Sequence, residues 1–389
     1  MVKTMTTLPD SISVLGATGS VGTQSLDVAK AHQIPVDLLT GSQNVSLMET
    51  LAREFSPKAI VMADPNAATS LKTKLADTSV KVYGGAAAIY SAIEDVASPT
   101  VVNAILGEAG LLPTLSALKT ANRLALSNKE SLVIAGDIVN ATAKETGCDI
   151  LPVDSEHSAI YQCLQGNRQK DVRRLFLTAS GGPFFGYTKE QLRGVTLLDT
   201  LAHPTWKMGK KITVDSATMM NKGFEVIEAV HLFGVSPAQI EVLIHRESII
   251  HSAVEYNDSS VIAELSVPDM RTCVAYALTC PDRMDFGGSF LDLATIGKLT
   301  FAKPDEATFP LLALAKYAIA KGGGVPACLN AANEVAVAAF LEEKISFCQI
   351  AEVVSLAVFK TENEAQKATS LADILSSAKL ARSFAESIL

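Results

Sequence analysis

Along the first 150 residues, short and almost uninterrupted apolar runs alternate with segments whose apolar positions recur at helical spacing. The runs are 11–16 (SISVLG), 36–41 (VDLLTG), 59–63 (AIVMA), 81–85 (KVYGG), 100–106 (TVVNAIL) and 123–128 (RLALSN). Continuous apolarity of this kind marks strands that are covered on both faces. Between them, residues 20–31, 45–56, 66–76 and 110–121 carry the helical period. Such βαβ alternation predicts an α/β fold opening with a Rossmann-like, doubly wound parallel sheet, here residues 1–150.

From residue 151 the pattern changes. Strands are predicted at 173–180, 240–245, 249–257 and 259–266, the last two joined by a turn at Asn257-Asp258. A long loop over 181–214 and a helix over about 217–232 separate the first two strands. An α+β central domain, 151–280, follows from this mixture, and the outer face of its amphipathic sheet is suited to pairing subunits. A Pro-, Asp- and Gly-rich linker covers 281–306. Helical periodicity then returns at 308–321, closed by a GGG stop, and at 329–343, 346–359 and 369–388. These segments predict a C-terminal helical bundle, 307–389.

Composition narrows the function classes. The chain is 48% hydrophobic, 19% charged and 6% aromatic, with a net charge of −8, so a nucleic-acid partner is not expected. No apolar run approaches the ~18 residues of a membrane span, and "MVKTMTTLPD" lacks the apolar core of a signal peptide. A cytoplasmic location without membrane attachment is the expectation. The six cysteines are scattered with no CxxC pair, which leaves neither a disulfide framework nor structural zinc in prospect.

Candidate chemistry begins at "VLGATGSVGTQS", where Gly16, Gly19 and Gly22 follow a buried strand and open a helix. Glycines there let backbone amides approach a pyrophosphate, and the hydroxyls of Thr18 and Ser20 add donors. At the end of the second strand no carboxylate awaits a ribose. Gly41, Ser42, Gln43 and Asn44 are neutral donors instead, which favours NADP over NAD. "LSNKES" places Lys129 and Glu130 at another strand's carboxyl end. In "PVDSEHS", Asp154 and Glu156 are two apart, and an extended chain would turn both carboxylates to one side. Oxygen ligands alone suit Mg²⁺ or Mn²⁺. The segment 215–234 reads as one helix with Asn221, Lys222 and Glu225 sharing a face, Ser216 near its start and Glu228 on its outer side. Ser180 precedes paired glycines in "TASGGPFFGY", an anion-cradle pattern. "LAHPTWKMGKK" holds His203, the only tryptophan, Trp206, and Met208, in a segment that is either packed or a lid.

The motifs GATGSVG, LSNKES, PVDSEHSAIYQ, ASGGPF, HPTWKMGKKITVDSATMMNKGFEVIEA and CLNAANE, taken in order, closely resemble the 1-deoxy-D-xylulose 5-phosphate reductoisomerases. That resemblance implies conversion of 1-deoxy-D-xylulose 5-phosphate to 2-C-methyl-D-erythritol 4-phosphate with NADPH and one divalent metal, on the methylerythritol phosphate route to isoprenoids. It implies NADPH contacts at Thr18, Gly19, Ser20, Val21, Gly41, Asn44, Asn128, Glu130 and Gly209. Asp154, Glu156 and Glu225 become the metal ligands. Lys129, Ser155, Glu156, Ser180, His203, Ser216, Asn221 and Lys222 become substrate contacts, the last several gathering the phosphate. Trp206 and Met208 fall in the family's lid, and a homodimer is expected. One departure is "GSQN", a residue longer than the usual GxN; Gln43 rather than Ser42 is taken as the middle contact. The rearrangement is left open between retro-aldol cleavage with re-addition and direct migration. The competing reading is a simple NADP-dependent dehydrogenase of a small phosphorylated or carboxylated substrate. A non-catalytic NADP sensor fits poorly, since Lys129, Asp154, Glu156 and Glu225 are all present.

Overall fold

The computed structural model describes residues 8–202 and 208–389. They form two compact units. The first comprises the chain to Ser131, Val139–Ser158 and Asp269–Ser289; the second comprises Leu132–Ile138, Ala159–Pro268 and Phe290–Leu389.

The first unit is a seven-stranded parallel sheet. Its strands are β1 (Ile12–Leu15), β2 (Val36–Gly41), β3 (Ala59–Met62), β4 (Lys81–Gly84), β5 (Thr100–Asn103), β6 (Arg123–Leu126) and β7 (Asp149–Pro152), in the order β4-β3-β2-β1-β5-β6-β7. The order reverses between β1 and β5, and such a switch point is where open α/β sheets bind ligands. β1, β3 and β5 are wholly buried, as their apolar runs predict. β4 is not: as an edge strand it leaves its residues largely exposed. The opposite edge, β7, is "DILP", too short and too polar at its ends to read as a strand, and its proline is tolerated because no strand lies beyond it.

The second unit contains a mixed sheet of β8 (Val172–Ala179), β9 (Ile240–Ile244), β10 (Ile250–Tyr256) and β11 (Val261–Leu265), in the order β11-β10-β8-β9. β8 and β9 are parallel, and β10 runs antiparallel to both β8 and β11. Helices Pro310–Lys321, Val325–Leu341, Phe347–Ala365 and Leu371–Ser387 form the C-terminal bundle. Leu175, Leu177, Phe224, Leu311, Ala336 and Val354 belong to one hydrophobic core, so sheet, central helix and bundle of this unit bury each other's apolar faces.

Two expectations are corrected here. The stretch 181–214 is not one loop: capping boxes at Thr188/Gln191 and Thr196/Asp199 start the short helices Lys189–Leu192 and Leu197–Leu201. The helix expected over about 217–232 is Met220–Phe233, but the segment 215–234 is not one helix: Asp215–Ala217 ends the preceding helix Lys210–Ala217, and the break falls at Met219 with φ +63°. No glycine or proline announces this break. The Thr218 hydroxyl donates to the Asp215 carbonyl at 3.2 Å and so competes with the helical backbone pattern.

Gly223 lets helix Met220–Phe233 pack closely against the bundle. A Cβ there would lie 2.6 Å from the Ala315 Cβ and 3.4 Å from the Leu311 carbonyl oxygen. Gly223→Ala is therefore expected to destabilise the protein by about 1–3 kcal/mol through overpacking. Thermal unfolding checks this: the midpoint falls by several degrees and is partly restored in Gly223→Ala/Ala315→Gly. An unchanged midpoint in the single variant contradicts the packing described.

Candidate functional site

The nucleotide loop lies in the first unit, at the switch point. Gly16 has φ +80°, and a Cβ on it would come within 2.6 Å of the Ala104 carbonyl oxygen beyond β5. A Cβ on Gly22 would overlap the Gly16 carbonyl. Glycine is therefore obligatory at both positions for the loop to fold this tightly. Thr40 at the end of β2 fastens the loop from the other side, its hydroxyl and carbonyl accepting from the Gly16 and Ala17 amides at 3.0 and 2.7 Å. Gly19 is the N-cap of helix Ser20–Ala31 and makes no side-chain cap bond. Gly19 and Ser20 are exposed; Thr18 and Val21 are half-buried. A helix start with no side-chain cap, next to exposed Gly19 and Ser20, is suited to a pyrophosphate.

Around it, the next loop supplies the neutral donors. A Cβ on Gly41 would lie 3.4 Å from the Thr18 hydroxyl, so the first and second loops meet. Asn44 is spent partly as an N-cap, accepting from the Leu47 amide at 3.1 Å. Exposed Gln43 donates to Asp64 at 3.2 Å. Hydrogen bonds from the Ala67 and Asn66 amides, ahead of the one from Gln43, hold the Asp64 carboxyl below its ordinary range. Asn128, 1% exposed, caps helix Lys129–Thr146 and donates to the Ile105 and Gly107 carbonyls at 2.7 and 3.0 Å. It also donates to Glu130 at 3.2 Å.

The acidic pair is close by in sequence and in the same unit, but its geometry differs from the expected one. Asp154 and Glu156 do not lie on an extended chain. Ser155 begins helix Ser155–Leu164, and the Asp154 carbonyl already accepts from the Ser158 amide at 2.8 Å. The carboxylates are thus presented by a helix start, one before it and one in its first turn. Lys129 Nζ stands 2.6 Å from Asp154 Oδ2, both nearly buried, and the Ser155 hydroxyl donates to Glu156 at 2.6 Å. His157, 0% exposed, lies on the same turn with Nδ1 3.9 Å from Asp154 Oδ2. The extended reading hid His157, because only a helix brings residues three apart to one face.

In the second unit, helix Met220–Phe233 carries the other carboxylate. Glu225 is 1% exposed and Lys222 4%. Asn221 Nδ2 donates to Glu225 Oε1 at 2.5 Å, and Lys222 Nζ donates to Oε2. The shared face predicted for these three is present, with Lys222 and Glu225 buried and Asn221 half-buried. Glu228, expected on the outer face, is instead 1% exposed, since this helix is covered on most sides. Ser216 is not at a helix start; it stands in the last turn of Lys210–Ala217, its carbonyl accepting from Met219 at 3.2 Å. Ser180 heads a loop with Gly181 at φ +79° and Gly182 at φ +67°. A Cβ on Gly182 would lie 2.9 Å from the Ser216 carbonyl oxygen, so the Ser180 loop and Ser216 are neighbours. Gly209 is the exposed N-cap of Lys210–Ala217, preceded by half-buried Met208. His203 and Trp206 lie outside the described residues.

Each unit therefore carries carboxylates balanced by a lysine. The donors Asp154, Glu156 and Glu225 are all oxygen, a set that fits a hard divalent cation. The glycine loop fits a dinucleotide. Among the described residues no helix is long and apolar enough to cross a membrane.

Comparison with known proteins agrees with these features. Profiles described as 1-deoxy-D-xylulose 5-phosphate reductoisomerase match residues 12–136, and those described as its C-terminal domains match 150–233 and 265–384. Proteins of that name from Acetivibrio thermocellus and Caldanaerobacter subterraneus subsp. tengcongensis are 51% and 50% identical. The alignments cover 88% and 90% of this chain and 90% and 92% of those proteins. A crystal structure of DOX-P reductoisomerase in complex with NADPH, fosmidomycin and magnesium superposes with a TM-score of 0.93 at 41% identity, over 97% of this chain and 98% of that one. The Zymomonas mobilis enzyme in complex with NADPH gives 0.90 at 42%, over 98% and 99%. The chain belongs to the 1-deoxy-D-xylulose 5-phosphate reductoisomerase family.

Proposed function

We propose that this chain converts 1-deoxy-D-xylulose 5-phosphate to 2-C-methyl-D-erythritol 4-phosphate, oxidising NADPH and requiring one divalent cation. The carrying observation is the near full-length likeness to reductoisomerases, one of them solved with NADPH and magnesium. When bound, the nucleotide supplies hydride and the cation supplies Lewis-acid polarisation of substrate oxygens.

The chain's own residues do the rest. Amides and hydroxyls at Thr18, Gly19, Ser20 and Val21 hold the pyrophosphate, and the neutral groups of Gly41, Gln43 and Asn44 receive the ribose 2′-phosphate. Asn128, Glu130 and Gly209 complete the nucleotide contacts. Asp154, Glu156 and Glu225 hold the cation. Lys129, balanced by Asp154, places positive charge beside the reacting oxygens. Ser155 and Glu156 orient the substrate hydroxyls. Ser180, Ser216, Asn221 and Lys222 bind the remote phosphate, whose binding energy goes into orientation. His203 contacts substrate, and the segment with Trp206 and Met208 excludes water. In this division residues 1–150 serve the nucleotide, 151–280 the chemistry, 281–306 the connection and 307–389 the support. A homodimer is part of the proposal, favoured by edge strand β11, where Val261 is 52% and Ile262 41% exposed. So is a cytoplasmic location, favoured by six cysteines, none of which forms a disulfide.

Two outcomes test this reading. Asp154→Asn should lower kcat by at least about a thousandfold while NADPH affinity, read by fluorescence titration, stays within about twofold. Turnover close to that of the parent protein would rule the assignment out. Chelation of divalent cations should abolish substrate-dependent NADPH oxidation, and Mg²⁺ or Mn²⁺ should restore it. Oxidation that persists in the chelator favours the simple dehydrogenase.

A further inference from the structure

Arg246, in the turn between β9 and β10, carries no sequence signal and is 64 and 66 residues from its partners. Its Nη1 donates to the Gly182 carbonyl at 2.8 Å and to the Ser180 carbonyl at 3.1 Å. Its guanidinium also lies 5.3 Å from the Phe185 ring centroid, over the ring face. One side chain thus grips the Ser180–Phe185 loop at three points.

That grip constrains the loop's polar groups. Gly181 and Gly182 both have positive φ, a conformation that glycine enters easily but does not hold by itself. In a trans peptide the N–H opposes the C=O, so the bond to the Ser180 carbonyl turns the Gly181 N–H away from Arg246. The Gly182 amide donates to the Ser180 hydroxyl at 3.3 Å, orienting that side chain as well. The turn bearing Arg246 is itself anchored. His245, 0% exposed, engages the Thr300 carbonyl through Nδ1 at 2.9 Å. Its Nε2 accepts from the Ile249 and Ile250 amides at 3.2 and 3.1 Å.

We propose that Arg246 is a positioning residue for the substrate phosphate: it fixes the Ser180–Gly182 backbone against Ser216, so that Ser180 and the Gly181 amide stand ready for the anion. The proposal rests on the reading of Ser180 as a phosphate contact. Arg246 bonds only carbonyl oxygens in this loop, so it acts through Ser180.

Steady-state kinetics of the full-length protein with Arg246→Met, Arg246→Lys and, in parallel, Ser180→Ala test it. Arg246→Met should raise KM for 1-deoxy-D-xylulose 5-phosphate about tenfold, the loss of one charge-assisted interaction. Its kcat should stay within threefold, and its KM for NADPH and melting temperature near those of the parent. Arg246→Lys should fall between the two, since an ammonium can reach the carbonyls but cannot spread over Phe185 in the same way. An unchanged sugar-phosphate KM in Arg246→Met, with a raised KM in Ser180→Ala, overturns the role of Arg246 alone. An unchanged KM in Ser180→Ala overturns the phosphate reading beneath it. A parallel loss of kcat, NADPH binding and melting temperature in Arg246→Met shows a general structural role and overturns the proposal.

Discussion

Charge balance inside a poorly solvated site is the constraint on which the rest depends. Removing a carboxylate or an ammonium from water costs several kcal/mol per ion unless a partner is in place. Here Lys129 stands at Asp154, and Lys222 at the 1%-exposed Glu225. Each unit therefore folds with one of its buried acids already paired to a lysine. The pairing also holds the carboxylate oxygens in fixed places, as the proposed role of cation ligands requires. Removing either lysine would leave its partner carboxylate without that counter-charge.

The fold serves this constraint by ending elements at the site. Asp154 and Glu156 are delivered by a helix start immediately after edge strand β7. Glu225 comes from a helix packed into the core of the second unit, so its position is set by Phe224 and Val226, both fully buried beside it. The break at Met219 separates Ser216 from Asn221 and Lys222, so the groups proposed to bind phosphate belong to two helices instead of one continuous rod. Loops with positive-φ glycines shape the other proposed contacts, at Gly16 for the nucleotide and at Gly181 and Gly182 for the anion.

Much of this was legible in the residues. Runs such as "SISVLG" and "TVVNAIL" are strands because only a strand covered on both faces tolerates such continuous apolarity. Asn221, Lys222 and Glu225 share a face because a helix repeats every 3.6 residues. What escaped the sequence depends on tertiary context. β7 is too short to show a period, and it exists because β6 offers it an open edge. The DxE pair looked extended because nothing in "PVDSEHS" shows the chain turning helical at Ser155. Glu228 looked like a surface residue because a helix's buried arc is set by its neighbours, and here they surround it. Arg246 was invisible because its partners follow the neighbouring strand β8, 64 and 66 residues earlier in the chain.

The central claim is that hydride transfer completes a skeletal rearrangement and is not a simple carbonyl reduction. Carbon NMR of the product formed from ¹³C-labelled 1-deoxy-D-xylulose 5-phosphate, with NADPH and Mg²⁺, tests it most directly. The account predicts a branched product, 2-C-methyl-D-erythritol 4-phosphate, formed with one NADPH oxidised per molecule. An unbranched reduced sugar phosphate, its carbon order unchanged, would contradict it.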